Sequence, residues 1–317
     1  MLLSRRSLLA GAAAMVATPS LAASKINVVA STGMIADLVR TIGGAGVEVQ
    51  ALMGPGVDPH AYRQTRSDIV DMTRADATFW HGLYLEAQME EFLLDLGRKR
   101  PVHAVAETVD TDLLIGSEDY EGRFDPHIWM DPYLWVKCVP AVVQALTALR
   151  PKGKEMFEVN ASAFISEAEA LSNYSRAALE AVPQPARVLL TAHDAFGYFG
   201  GAYDFEVLGI QGISTESEAG LNRISTLVDM LVERKLPAVF VETSVSDRNI
   251  RALIEGSAAQ GHTVIIGGAL FSDAMGPEGT YEGTWLGMID HNVTTIARAL
   301  GADVPAKGRL GRLKGAA

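Results

Sequence analysis

A single cysteine, Cys138, stands in 317 residues. That excludes an internal disulfide and any zinc site built on several thiolates. Basic residues are also scarce: 27 Lys and Arg face 38 Asp and Glu, for a formal net charge of −11. Clustered cations are what hold a phosphate backbone, so nucleic acid is not an expected partner. Common enzyme signatures are missing too, among them G-x-S-x-G, H-E-x-x-H, the phosphate-binding G-x-x-x-x-G-K-[ST] and G-x-G-x-x-G. Beyond the N-terminus no uninterrupted apolar run reaches the roughly 18 residues that a membrane-crossing helix needs. What the chain does have is 48% hydrophobic residues. That supplies a core for one large or two medium domains.

Residues 1–23 read as an export address. Arg5 and Arg6 precede an apolar run from Leu8 to about Ala17, and small residues around Leu21-Ala22-Ala23 follow. Ser4-Arg5-Arg6-Ser7-Leu8-Leu9 also resembles a twin-arginine export motif. The run is short, rich in Ala and ended by Thr18-Pro19, which argues against an anchor. The expected mature protein is periplasmic, monomeric and acidic.

The remaining chain alternates strand and helix patterns. Strands are expected at Lys25–Ser31, Val47–Met53, Ala77–Trp80 and Val102–Val105, with helices at Gly33–Gly43, Ser67–Thr73 and Glu86–Leu96. Asp131-Pro132 opens a further helix running to about Leu149. From Lys152 to about Val182 there is no Pro, and no Gly after Gly153. Apolar residues there recur at Phe157, Ala161, Phe164, Ala168 and Leu171, which predicts one long helix. Pro183-Gln184-Pro185 stops it, and the alternation restarts. Strands follow at Ala186–Thr191, Val207–Ile210, Pro237–Glu242 and Thr263–Gly267, with helices at Ser225–Arg234, Ser246–Gln260 and Trp285–Leu300. The fold class is therefore α/β: two lobes with mainly parallel sheets (24–151 and 183–304) joined by one long helix (152–182). Residues 305–317, with four Lys or Arg and three Gly, are expected to be a loose tail.

Three of the seven histidines sit in unusual surroundings. Asp-Pro-His occurs twice, ending at His60 and at His127. Proline fixes φ, so each imidazole hangs from a stiff loop, as a metal ligand requires. Spacing alone leaves a second reading open, in which turn residues happen to carry surface histidines. His193 and Asp273 each follow the C-terminal end of an expected parallel strand, where open α/β sheets place ligand-binding groups. Two candidates fall in each half, which suits a cleft between lobes. Three imidazoles and one carboxylate form an N3O donor set suited to Zn²⁺ and open to Mn²⁺.

These segments resemble the TroA-like and ZnuA-like metal-binding proteins of ABC transporters. The resemblance rests on Asp58-Pro59-His60-Ala61-Tyr62, Asp125-Pro126-His127-Ile128-Trp129, His193-Asp194-Ala195-Phe196-Gly197-Tyr198-Phe199 and Ser272-Asp273-Ala274. It extends to the long middle helix, Val241-Glu242-Thr243-Ser244 and Gly279-Thr280-Tyr281-Glu282-Gly283-Thr284-Trp285. It implies a bilobal fold with one metal ion between the lobes at His60, His127, His193 and Asp273. It further implies a periplasmic solute-binding protein, not an enzyme, that hands Zn²⁺ or Mn²⁺ to an inner-membrane permease. The chain departs from zinc-specialised relatives: its Ile115–Phe124 loop is acidic but has no His, and no disulfide can form. Many manganese-type relatives carry Glu where His193 stands.

Other residues read as structural. His103, His262 and His291 lack the stiff loop context, His81 is expected to support rather than ligate, and Trp129 and Trp135 are expected to pack. Asp58 and Asp194 are candidates for holding the imidazoles from behind. Two competing functions are a binding protein for a metal chelate and a secreted metal-dependent hydrolase. The first needs a wide cleft, and the second needs an open, water-bearing position on the metal.

Overall fold

The computed structural model describes residues 24–117, 121–217 and 220–314. The expected export segment, 1–23, lies outside them. The N-terminal lobe is a four-stranded, all-parallel sheet of β1 (Ile26–Ala30), β2 (Val47–Ala51), β3 (Ala77–Trp80) and β4 (Val102–Ala104) in the order β2-β1-β3-β4. Its helices are α1 (Gly33–Gly43), α2 (Arg66–Arg74) and α3 (Glu90–Gly97). Thr32 caps α1 by accepting from the Ile35 amide, and Thr65 with Asp68 forms a capping box on α2. Helix α3 starts four residues later than its apolar pattern suggests. Glu86 is turned inward, where its carboxylate accepts the His81 and Gly82 amides and the Ser31 hydroxyl. The preceding turn bends through Leu83 and Tyr84, both at positive φ.

The helix expected over 131–149 is broken. Asp131 caps α4 (Pro132–Trp135), a 3₁₀ turn follows, and α5 (Val139–Leu149) begins again at Val139-Pro140. Pro140 has no amide to donate, so it suits the start of a helix rather than its middle. This apolar stretch is a core element, with Leu134, Trp135, Cys138, Val142 and Leu146 buried.

Helix α6 (Lys154–Glu180, 27 residues) is the spine. Its buried residues Phe157, Ala161, Phe164, Ala168, Leu171, Ser175 and Ala178 recur every three or four positions, so they form one stripe along the helix. That stripe packs on α1, α4 and α5 of the first lobe. From the second lobe it meets α7 (Gly197–Tyr203) and the closing helix α10 (Trp285–Ala299). A buried Phe or Leu on the stripe contributes about 1.5–3 kcal/mol, so the spine ties both lobes to one core.

The C-terminal lobe lays out its four strands in a similar spatial order, but as two separate two-stranded parallel sheets. Strand β5 (Val188–Thr191) pairs in parallel with β6 (Glu206–Gly209), β7 (Ala238–Glu242) pairs in parallel with β8 (Ile265–Leu270), and β5 lies beside β7. The sequence β6-β5-β7-β8 thus mirrors β2-β1-β3-β4. Helices α8 (Leu221–Glu233), α9 (Arg248–Ala259) and α10 complete it. Helix α7 was not expected, because Gly197, Gly200 and Gly201 disfavour a helix. Packing overrides propensity there: Tyr198, Phe199 and Tyr203 are all buried.

The tail departs from expectation over residues 305–314. The buried Asp290 carboxylate accepts the Arg309 amide, Arg309 pairs with Glu167 on α6, and Glu282 accepts the Lys314 amide. Leu313 is buried. The segment is therefore strapped along α10 rather than loose, held by carboxylates that composition alone does not reveal.

Candidate metal centre

Four loops converge between the lobes. His60 and His127 come from the two Asp-Pro-His turns of the N-terminal lobe. His193 follows β5 and Asp273 follows β8, at the C-terminal ends of parallel strands. One donor atom from each lies within 4.8 Å of all the others, and all four residues are buried. His60 Nε2 is 3.3 Å from His127 Nε2 and 3.9 Å from Asp273 Oδ2. His127 Nε2 is 3.4 Å from Asp273 Oδ1, and His193 Nε2 is 3.2 Å from Asp273 Oδ2. Donors placed about 2.0–2.1 Å from a central ion in a tetrahedron stand about 3.3 Å apart. Three of the four separations are close to that value, and the His60–Asp273 separation is longer.

Satisfaction of polar groups points the same way. Neither Asp273 oxygen nor His193 Nε2 has an aligned hydrogen-bond partner among the described residues. Buried polar atoms left so are costly unless something else engages them.

The far side of each imidazole is held differently. His127 Nδ1 lies 2.6 Å from Asp125 Oδ1, and that same oxygen accepts the His127 amide at 2.9 Å. His193 Nδ1 lies 2.6 Å from Glu242 Oε2, while Glu242 Oε1 accepts the His193 amide at 2.9 Å. A carboxylate at Nδ1 fixes the tautomer that turns the Nε2 lone pair toward the centre. Asp58 acts on the backbone instead: Oδ1 accepts the His60 amide at 2.9 Å and Oδ2 accepts the Thr215 hydroxyl at 2.6 Å.

Charge balance in the cluster follows from these contacts. Burial works against a charged His127, but Asp125 and Asp273 outweigh it and lift the imidazole to about 9. Burial opposes protonation of His193 as well, and Asp273 and Glu242 raise it well above the ordinary value. Burial resists ionisation of Asp273, yet His193 and His127 hold it well below the usual carboxylate range. Burial takes His60 down to about 3, with Asp273 offsetting it only in part and the neighbouring imidazoles adding to the fall. Without a metal ion the neighbouring carboxylates favour the protonated forms of His127 and His193.

The remaining candidates find other roles. His81 lies outside the cluster. Its Nε2 is 2.7 Å from the Pro126 carbonyl, which can only accept, so Nε2 carries the hydrogen. The ring stacks on Trp135 and meets Trp129 edge-on, and burial depresses it to about 3. It props the Asp125-Pro126-His127 turn as a neutral donor. His103 packs on Phe79, His262 meets the Leu236 carbonyl and His291 meets the Ala269 carbonyl. Asp194 does not hold an imidazole. Its amide donates to the Gly212 carbonyl, and the carboxylate expected of it behind His193 is supplied by Glu242.

Three contacts that sequence reasoning did not foresee tie the ligand loops across the cleft. Trp129 Nε1 donates to the Ser272 carbonyl at 2.8 Å, linking the residues beside His127 and Asp273. Tyr198 Oη donates to the Asp125 carbonyl at 2.8 Å. Gly197 lets the start of α7 approach, since a Cβ there would stand 2.9 Å from Asp125 Oδ2. Glu242 carries a signal in the sequence, since it closes a strand beside β5 and lies in Val241-Glu242-Thr243-Ser244, but its pairing with His193 spans 49 residues.

Comparison with known proteins gives a consistent set of likenesses. Residues 28–299 match the sequence model of the family described as zinc-uptake complex component A, periplasmic. The chain is 44% identical over 277 residues to the manganese-binding lipoprotein MntA of Bacillus subtilis, covering 87% of this chain and 90% of that protein. It is 45% identical over 273 residues to the zinc-binding protein TroA of Treponema pallidum, covering 86% and 88%. The solved structure of the periplasmic zinc-binding protein TroA from T. pallidum superposes with a TM-score of 0.85 at 44% identity, covering 87% of this chain and 99% of that one.

Proposed function

The chain belongs to the periplasmic zinc-uptake component A family, and we propose that it is the metal-capturing receptor of an ABC transporter, with His60, His127, His193 and Asp273 as its ligands. The observation that carries this reading is the convergence of three imidazoles and one carboxylate, two from each lobe, with donor atoms within 4.8 Å of one another. The cargo is one divalent transition metal, Zn²⁺ or Mn²⁺. Both are named among the similar proteins, zinc for TroA and manganese for MntA. Nitrogen-rich sites bind zinc more tightly than manganese, so affinity for the isolated protein follows that order whichever ion is carried.

Capture has no covalent step. The imidazoles bind through Nε2, Asp273 neutralises half of the ion's charge, and Asp125 and Glu242 keep two rings turned inward. Four protein donors complete a tetrahedral zinc shell, which differs from the three-ligand arrangement of catalytic zinc. Their mutual closeness and burial favour a bare ion over a chelate. The expected location is outside the cytoplasmic membrane, where an ABC permease receives the metal. Metal analysis of protein from its native compartment, with competitive Zn²⁺ and Mn²⁺ titration, tests the proposal. One ion per chain supports it; less than a tenth of an equivalent of either metal contradicts it.

A further inference from the structure

We infer that Thr215 is a positioning residue: its hydroxyl latches the His60 loop of one lobe to a loop of the other and so governs how fast a captured metal leaves. The inference rests on the reading of His60 as a ligand.

The two Asp-Pro-His turns are each grasped by a hydroxyl from the opposite lobe, but in different ways. Tyr198, buried on α7, donates to the Asp125 carbonyl and also accepts the Ile115 amide. That bond is part of the packed core. Thr215 is only half-buried, lies on the loop after β6, and donates to a side-chain oxygen of Asp58 at 2.6 Å. A hydrogen bond to a carboxylate is stronger than one between neutral groups. The other Asp58 oxygen accepts the His60 amide, so Asp58 transmits the Thr215 contact to the backbone that carries the ligand.

The Thr215 loop is itself braced from the metal centre. The Gln211 amide donates to the Ala192 carbonyl, next to His193, and the Gln211 side chain donates to the Thr215 and Ser217 carbonyls. A continuous chain of bonds thus runs from the residue beside His193 through Gln211, Thr215 and Asp58 to His60. It bridges the cleft and reaches His60 through its backbone amide. Of the two N-terminal-lobe ligands, His60 is therefore the one freed by breaking a single hydroxyl contact.

Stopped-flow transfer of Zn²⁺ from the loaded protein to an excess of chromogenic chelator tests this. Thr215→Val keeps the shape and removes the donor, whereas Thr215→Ser keeps the donor. The valine variant is expected to release Zn²⁺ about tenfold faster, the worth of one hydrogen bond to a charged group, with association within about twofold of the parent. The serine variant is expected to restore the parent's rate, and in an Asp58→Ala background Thr215→Val is expected to add nothing. Release by Thr215→Val at the parent's rate overturns the latch, and so does an equal acceleration by both substitutions. A parent protein that takes up no Zn²⁺ contradicts the functional reading itself, an outcome separate from either.

Discussion

His127 and His193 each have a carboxylate oxygen 2.6 Å from Nδ1, aligned as a hydrogen bond only at His127, and they obtain it in opposite ways. In the N-terminal lobe the carboxylate is local: Asp125 precedes its histidine by two residues across a proline. In the C-terminal lobe it is tertiary: Glu242 ends β7, 49 residues on, and reaches His193 only because β7 lies beside β5. One half of the centre is built by a short rigid turn and the other by two neighbouring strands of separate sheets. The bonding also differs in detail. One oxygen of Asp125 serves both the amide and the ring of His127, whereas Glu242 spends one oxygen on each.

The largest expected effect comes from removing a ligand outright. His127→Ala and His193→Ala are expected to lower metal affinity by more than about 100-fold, beyond the range for groups that only orient a ligand. His262→Ala is expected to leave affinity within about twofold, because that ring only meets the Leu236 carbonyl. Calorimetric titration of the three variants checks this, and equal affinities would remove both histidines from the site.

The next effect separates the two carboxylates. Asparagine at 125 still offers one oxygen able to accept from both the amide and the ring. Glutamine at 242 has only one oxygen for two donors, so its amide nitrogen must face one of them. Glu242→Gln is therefore expected to cost about 10–100-fold in affinity, and Asp125→Asn less than about tenfold. The reverse order, measured in one competition assay, would break the comparison.

Metal is also expected to stabilise the fold, because ligands from both lobes meet only in the native state. At 100 times Kd the gain is about 2.7 kcal/mol. Chemical denaturation with and without saturating Zn²⁺ measures it, and coincident curves would contradict a site between the lobes.

The pH dependence is the finest test. His127, lifted to about 9, and His193, also raised, favour the protonated form in the metal-free protein, whereas His60, depressed to about 3, favours the neutral one. Protons on the two raised rings compete with metal, so affinity falls as pH falls, and the competition begins below about 9. An unperturbed imidazole near about 6.5 would put the onset lower. Binding at pH 7 is expected to expel about two protons per ion. Calorimetry in buffers of different ionisation enthalpy counts them, and binding without proton release would refute the charge balance.

The same divide between local and tertiary causes explains what the sequence makes legible. Helix α1 spans Gly33–Gly43 in pattern and in structure because its cap, apolar face and terminal glycines are all local. The four proposed ligands were legible because each is marked nearby, by Asp-Pro or by a strand end. Helix α7 was hidden, since three glycines mask a helix stabilised by buried aromatics. Glu242, Thr215 and the Asp290 strap were hidden for a related reason: each acts on a residue far along the chain. The break at Val139-Pro140 was visible locally but outweighed by the continuous apolar pattern around it.

Anomalous diffraction at the metal absorption edge, from crystals grown with Zn²⁺, tests the central claim most directly. The account predicts one strong peak per chain between the lobes, about 2.0–2.2 Å from Nε2 of His60, His127 and His193 and from an Asp273 oxygen. A peak that omits any of these four residues, or that lies away from the cleft, would contradict it.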